Sequence, residues 1–431
     1  MRRRGASAAA ALLALALVVG GCSDEKPGLG LPSPAGQTPP PESPPPAAES
    51  GPGSAAAALA RLCTEIEVAE DDEPVGRITP EVAKVADQVE SVRGFGFEEE
   101  VGAEPVSAAE MSRRVSEAFS DQYPAAFYDR RSLAWTTIGV VPPGTDLREE
   151  LLQLGEGGIV GYYDPATGAL VYIASGDLGL TEAFTLAHEL THAIDDQRFD
   201  LSRLDPLAES CRDESFQAAL GAVEGSAQFF GTLVLQRFPV PPTASDLDGA
   251  DLGVLSEVPP FLVDQQLWPY NYGQAFMIAL ERRGGLDEVD RALRRFPVST
   301  EQVMHPERYP NDLPTPLDIG PLSGWRDLDV MEVGEQWFRA MLKLRLDIPT
   351  AGGAAAGWDG GIYRAYRQGE DVAVAIRTVW DSARDAEEFR RAIELWVDER
   401  DQDGIVRQGG DEVWVFFATN EVALAAVSTL S

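Results

Sequence analysis

The sequence predicts an α+β fold, with a small β-sheet ahead of a largely helical C-terminal part. Two observations carry this expectation. Ile159-Val160-Gly161-Tyr162-Tyr163 and Ala169-Leu170-Val171-Tyr172-Ile173 are β-prone runs separated by the turn residues Asp164-Pro165-Ala166-Thr167-Gly168, the pattern of a hairpin. Beyond them, apolar residues recur at helical spacing over Thr181 to Gln197, Glu214 to Gln236, Asn271 to Arg283, Gly334 to Leu346 and Ala383 to Val397.

From the N-terminus, Arg2, Arg3 and Arg4 precede a short apolar stretch, Ala8 to Val19, which ends in Val19-Gly20-Gly21-Cys22. This arrangement resembles a bacterial lipoprotein signal, cleaved before Cys22 and lipidated on its thiol. It implies an extracytoplasmic protein anchored to the cell membrane. Ser23 to Ser54 is rich in Pro, Gly and Ser, a composition that buries too little apolar surface to offset chain ordering. As an extended tether it spans up to about 100 Å, at about 3 Å per residue. No later run of about 18 uninterrupted apolar residues predicts a transmembrane helix.

Pro80 to Val92 and Ala108 to Phe119 read as helices, joined by a Gly- and Glu-rich connection from Gly94 to Pro105. Asp129 to Val141 is a third, closed by Pro142-Pro143. Thr181 is the expected N-cap of the helix after the hairpin. Gly284-Gly285 stops the helix that begins at Asn271, Ala351 to Gly361 reads as a connection, and Glu412 to Ala418 is strand-like. Asp246-Leu247-Asp248-Gly249 and Asp401-Gln402-Asp403-Gly404 lack the spacing of a calcium loop and read as turns.

The formal charge of −35, from 70 acidic and 35 basic residues, argues against nucleic acid as a partner. Besides Cys22 the chain has Cys63 and Cys211. In an oxidising compartment these two can pair, pinning the start of the folded body to the loop before the second long helix.

The chemistry concentrates in His188-Glu189-Leu190-Thr191-His192. On a helix, residues i and i+4 lie one above the other, so both imidazoles project from one face and can share a metal ion. Glu189 stands beside the first of them, where it can take a proton from a water whose pKa zinc has lowered. A catalytic zinc needs a third protein ligand. Glu224 is the lone acid between Phe216 and Gln236 on an otherwise small and apolar helix, and coordinating a cation offsets the cost of burying it. Gly225 and Ala227 let that helix approach a neighbour closely. His305 is the rival third ligand and the expected oxyanion donor, with Tyr272 and Tyr309 in reserve. Asp196, four residues past His192, can orient an imidazole.

Ala187-His188-Glu189-Leu190-Thr191-His192-Ala193, with Glu224-Gly225 on a following helix, resembles the gluzincin arrangement of zinc metallopeptidases. The chain is also similar to a group of bacterial secreted or lipid-anchored zincin-like peptidases, from about residue 78 to 397. Gly161-Tyr162-Tyr163-Asp164, Asp195-Asp196-Gln197, Tyr272-Gly273-Gln274-Ala275-Phe276, Ser299 to Tyr309 and Ala356-Gly357-Trp358 extend that similarity. Two positions depart from it: Ser226 stands where an Asp follows Glu-Gly, and Asp359-Gly360-Gly361 stands where Gly-Gly-Asp follows Trp358.

The resemblance implies a zincin-like fold, with one catalytic Zn2+ held by His188, His192 and Glu224, Glu189 as base, and a polypeptide substrate. It also implies that the hairpin strand just before the active helix is an edge strand on which substrate pairs, with Tyr162, Tyr163 or Tyr172 lining the cleft. The resulting division is a signal over 1–21, lipidated cysteine and linker over 22–58, a supporting helical region over 59–145, the peptidase domain over 146–400 and a strand/helix tail over 401–431. The alternatives are a catalytically idle zincin-fold envelope lipoprotein acting as a scaffold, and a zinc amidase acting on cell-wall peptide.

Overall fold

The structure is a computed structural model that describes residues 51, 53–63, 78–122, 124–165, 167–174, 178–243, 246, 254–400 and 403–431. The signal, Cys22, most of the linker and parts of both acidic turns lie outside these residues. Helices α1 (Ala55–Leu62) and α2 (Pro80–Arg93) come first, followed by strand β1 (Gly102–Val106), α3 (Ala108–Gln122), α4 (Ala125–Ile138) and α5 (Leu147–Gly158). The hairpin forms β2 (Gly161–Asp164) and β3 (Ala169–Ile173). Next are α6 (Leu180–Phe199), α7 (Asp205–Glu209), α8 (Asp213–Arg237), α9 (Val254–Glu257), α10 (Pro260–Gly284), α11 (Leu286–Arg294) and α12 (Thr300–Met304). The remainder runs β4 (Arg326–Glu332), α13 (Glu335–Lys343), α14 (Ile348–Ala355), β5 (Trp358–Gln368), β6 (Asp371–Trp380), α15 (Ala383–Asp398), β7 (Gly404–Gly409), β8 (Glu412–Ala418) and α16 (Glu421–Val427).

The fold is α+β, with a three-stranded sheet ordered β1-β3-β2 and a five-stranded sheet ordered β4-β5-β6-β8-β7. The second sheet corrects the expectation of a largely helical C-terminal part. Its central strands hide their period because both faces are covered. Along β6, Val372, Val374 and Ile376 enter one core while Ala373 and Ala375 enter another, so apolar residues run on without polar alternation. Trp358 opens β5 at the end of what reads as a Gly/Ala-rich connection, whose first part is α14.

The first sheet also differs from expectation. β3, the strand just before α6, is central: it pairs in parallel with β1 and antiparallel with β2. β1 lies in the stretch read as a Gly- and Glu-rich connection. Its Pro105 is tolerated because the strand is paired on one side alone. The sheet edge that meets α6 is β2, whose Tyr163 amide donates to Glu189.

α8 is long and apolar enough to cross a membrane by length and composition, yet its apolar window is 83% buried inside the protein. It packs against α6 and α10. Gly225 meets the backbone of Gly273, and Gly273 meets the Gly221 carbonyl, so closely that a Cβ at either crossing glycine overlaps its neighbour. α10 begins eleven residues before the expected start at Asn271 and runs through Pro269. Proline removes the hydrogen bond to the carbonyl four residues back, and here the Gln217 amide donates to that carbonyl, on Gln265, at 2.9 Å. Cys63 and Cys211 form a disulfide with Cα atoms 6.1 Å apart, fastening α1 to the approach to α8.

Candidate metal centre

α6 carries the His-Glu-x-x-His run, and its N-terminus is capped from a distance. Gly179 occupies the N-cap and has no side chain to offer. The Asp246 carboxylate accepts instead from the amides of Leu180 and Thr181, at 2.9 and 2.8 Å. Thr181, the expected cap, lies inside the first turn, where its carbonyl accepts from the Thr185 hydroxyl.

The face of α6 that bears His188 and His192 is fully buried against α8. Glu224 Oε2 lies 3.1 Å from His188 Nε2 and 3.5 Å from His192 Nε2, and the two imidazole Nε2 atoms are 3.0 Å apart. A tetrahedral zinc with arms of about 2.0–2.1 Å sets its donors about 3.3 Å apart, so this triangle fits such an ion. Among the described residues, this is the group of three His, Cys or acidic side chains whose donor atoms converge in this way. Glu189 Oε2 accepts from the Tyr163 amide of β2 at 2.9 Å, while Glu189 Oε1 is buried with no hydrogen-bond partner. Glu224 Oε1 is likewise unpartnered. With their protons on Nδ1, both imidazoles turn an Nε2 lone pair toward Glu224 Oε2, and a cation at that point joins all three.

The electrostatics suit a cation. Burial pushes the His192 imidazole down to about 4 and lowers His188 too, so both rings are neutral, with lone pairs free at neutral pH. Burial, followed by the nearby Glu224 charge, holds the Glu189 carboxyl well above the usual carboxylate range, and burial raises Glu224.

The surrounding residues differ in part from expectation. Asp196 accepts from the Tyr163 hydroxyl at 2.9 Å and the Leu201 amide at 2.8 Å. Its neighbour Asp195 is the buried acid whose charge acts on His192. Asp195 accepts from Arg93 Nε at 2.7 Å and from the Ser226 hydroxyl at 2.6 Å. Ser226 thus ties α8 to α6 at the position where the resemblance has an Asp. Arg93 is fully buried against Phe95 and Phe230, which lie 4.5 Å below its guanidinium.

His305 is not brought to the cluster. Its Nε2 lies 3.0 Å from Glu335 at the start of α13, and that hydrogen bond raises the pKa of the ring against the effect of burial. The preceding Gly334 abuts Glu214, ten residues and about 15 Å of helix from Glu224. The reserves are also elsewhere. Tyr272 stacks on Trp268 beneath Arg339, and Tyr309 donates to the carbonyls of Arg291 and Arg295.

The tyrosine at the site is Tyr270, about 200° around α10 from Tyr272. Its hydroxyl hydrogen-bonds Glu224 and its ring stacks 6.2 Å from that of His188. No spacing in the sequence marks it, because the Gly225–Gly273 crossing brings it there. Tyr163 and Tyr172 are core residues, whereas Tyr162 is half-buried in the layer formed by Met111, Val115, Ile159, Val171 and Tyr270. Tyr270 joins that layer to the cluster, where His188, Glu189 and Glu224 have no solvent exposure and His192 has 1%.

A family model of a domain of unknown function, DUF8575, matches residues 325–428. The matched stretch comprises the five-stranded sheet and its helices and holds none of the converging ligands. No curated protein and no solved structure matches the chain.

Proposed function

We propose that the chain is a zinc-dependent peptidase of the gluzincin type, with a zincin-like core, that hydrolyses polypeptides outside the cytoplasm while tethered to the membrane through Cys22. The observation that carries this reading is the convergence of His188, His192 and Glu224 on one point, beside the unpartnered Oε1 atoms of Glu189 and Glu224. When bound, zinc would bring the pKa of a water toward neutrality and polarise the scissile carbonyl.

The chain's own residues supply the rest. Glu189 receives the proton of the attacking water at Oε1, held in place by the Tyr163 amide on Oε2, and returns it to the departing amine. Tyr270 is the phenolic donor beside the site and takes the oxyanion role expected of His305. Substrate reaches Glu189 once the layer of α3 and α5 side chains over Tyr270 opens.

Metal analysis and peptide hydrolysis, run on wild type and Glu189→Gln, test the reading. The expected result is about one zinc in each and a fall in kcat/KM of about a thousandfold in the variant. Equal rates in the two proteins, or a wild type that takes up no zinc, would sink it. The closed layer favours one second reading, the idle scaffold, for which wild type binds zinc and cleaves no peptide.

A further inference from the structure

A second site lies where the helices of the metal centre meet the C-terminal sheet. A cavity of about 190 Å³ opens there between α4, α5, α8, α10, β4 and α13. Phe127, Trp135, Phe216 and Trp337 supply aromatic walls, and Asp213, Glu214, Glu332 and Arg131 line the rest. Burial raises Glu214 to about 8, so it is protonated at neutral pH, and Glu332 lies 3.8 Å from Arg212; Asp213, Asp329 and Glu332 thus face the two cations Arg131 and Arg212. Arg131 is already engaged, with Nε 2.8 Å from Asp329 and Nη1 3.0 Å from Asp213.

The polar groups left over point to a ligand. Gln336 is 1% exposed and neither its amide nitrogen nor its amide oxygen has a hydrogen-bond partner. Gln265 Nε2 is buried and unpartnered as well, and both residues line the cavity. Unmatched amides in a core are costly, and a ligand that matches them removes that cost.

We propose that this cavity binds a small organic cation that carries an amide or carbonyl group. The one carboxylate left over after Arg131 and Arg212 are matched selects positive charge and disfavours an anion. The aromatic walls suit a cation, the Gln336 and Gln265 NH2 groups call for a carbonyl oxygen, and Gln336 Oε1 accepts an N–H. The volume is below the roughly 300–1,000 Å³ typical of drug-sized ligands and fits a molecule of amino-acid size. Among the described residues, no three His, Cys or acidic donor atoms converge here as they do at the metal centre, which favours an organic occupant over a bare metal ion. The cavity is separate from the metal centre and the proposal is independent of it: Glu214 stands about 15 Å along α8 from Glu224. Its walls come from both sides of the DUF8575 boundary, so an occupant would bridge the matched domain to the rest of the chain.

Titration calorimetry of the full chain with argininamide, at a salt concentration that screens the acidic surface, tests the proposal. Wild type is expected to bind with a Kd below about 1 mM, and Gln336→Leu at least about tenfold more weakly. That substitution leaves every charge in place, so a loss in the variant separates this cavity from general attraction to an acidic protein. Melting curves and zinc content unchanged in Gln336→Leu would show that the fold is intact. No heat from wild type at about 10 mM argininamide, or equal binding by the variant, would overturn the proposal.

Discussion

Two buried polar clusters sit on α8, one at its start and one at its middle, and their chemistry differs. Around Glu224, two neutral imidazoles and a carboxylate approach within 3.5 Å of one another with no cationic side chain among them, and Glu189 Oε1 and Glu224 Oε1 are left unpartnered. Around Asp213, acceptors meet donors. Arg131 lies between Asp329 and Asp213, Tyr363 donates to Asp329, and Thr300 gives both its amide and its hydroxyl to Glu214. Both clusters are deeply buried, so burial alone does not distinguish a site from a structural network. Donor matching does. A matched cluster holds the fold together, whereas a converging unmatched one calls for something from outside.

Substitutions can break that contrast. The largest effect is expected at the matched cluster. Arg131→Met would strand Asp329 and Asp213 in the core, lowering stability by about 3–5 kcal/mol. Urea unfolding followed by circular dichroism reads the loss, and an unchanged midpoint would mean that the arginine does not hold the cluster.

At the unmatched cluster, Tyr270→Phe is expected to retain zinc and lower kcat by about 10- to 100-fold, with little change in unfolding. Wild-type turnover would remove Tyr270 from the chemistry, and loss of zinc would instead give it a role in placing Glu224.

A series in pH sharpens the border between the clusters. Burial raises the Glu214 carboxyl to about 8, against hydrogen bonds from Thr300 that favour its charged form. The folded protein therefore holds a proton that the unfolded chain releases near pH 4.5, and wild-type stability falls as pH rises from there to about 8. Glu214→Gln lacks that loss, so its advantage over wild type should grow across this window, by up to about 5 kcal/mol. Parallel stability curves for the two proteins from pH 5 to 9 would show that Glu214 is not raised.

How much was legible varied with the range of the interaction that decides each feature. The hairpin and the helices carrying His188, His192 and Glu224 are readable because helical spacing and turn residues act locally. The Cys63–Cys211 pairing could be anticipated from the number of cysteines. β5 and β6 were not readable, since strands covered on both faces lose the period-two alternation. β1 was missed because Gly-Ala-Glu-Pro-Val is a weak strand former that depends on β3 for its pairing. His305 attracted attention through scarcity alone, and scarcity says nothing about position; the Glu335 carboxylate holds it.

By itself the sequence determined the i, i+4 imidazoles on α6, the carboxylate between them, and a solitary acid on a small-residue helix, because each depends on residues within a few turns of one another. Tertiary structure alone decided that Glu224 meets both rings, that Ser226 and Arg93 converge on Asp195, and that Tyr270 rather than His305 stands at the cluster. These outcomes depend on how closely helices cross. That closeness is set by glycines such as Gly225 and Gly273, whose role appears once the two backbones are in contact.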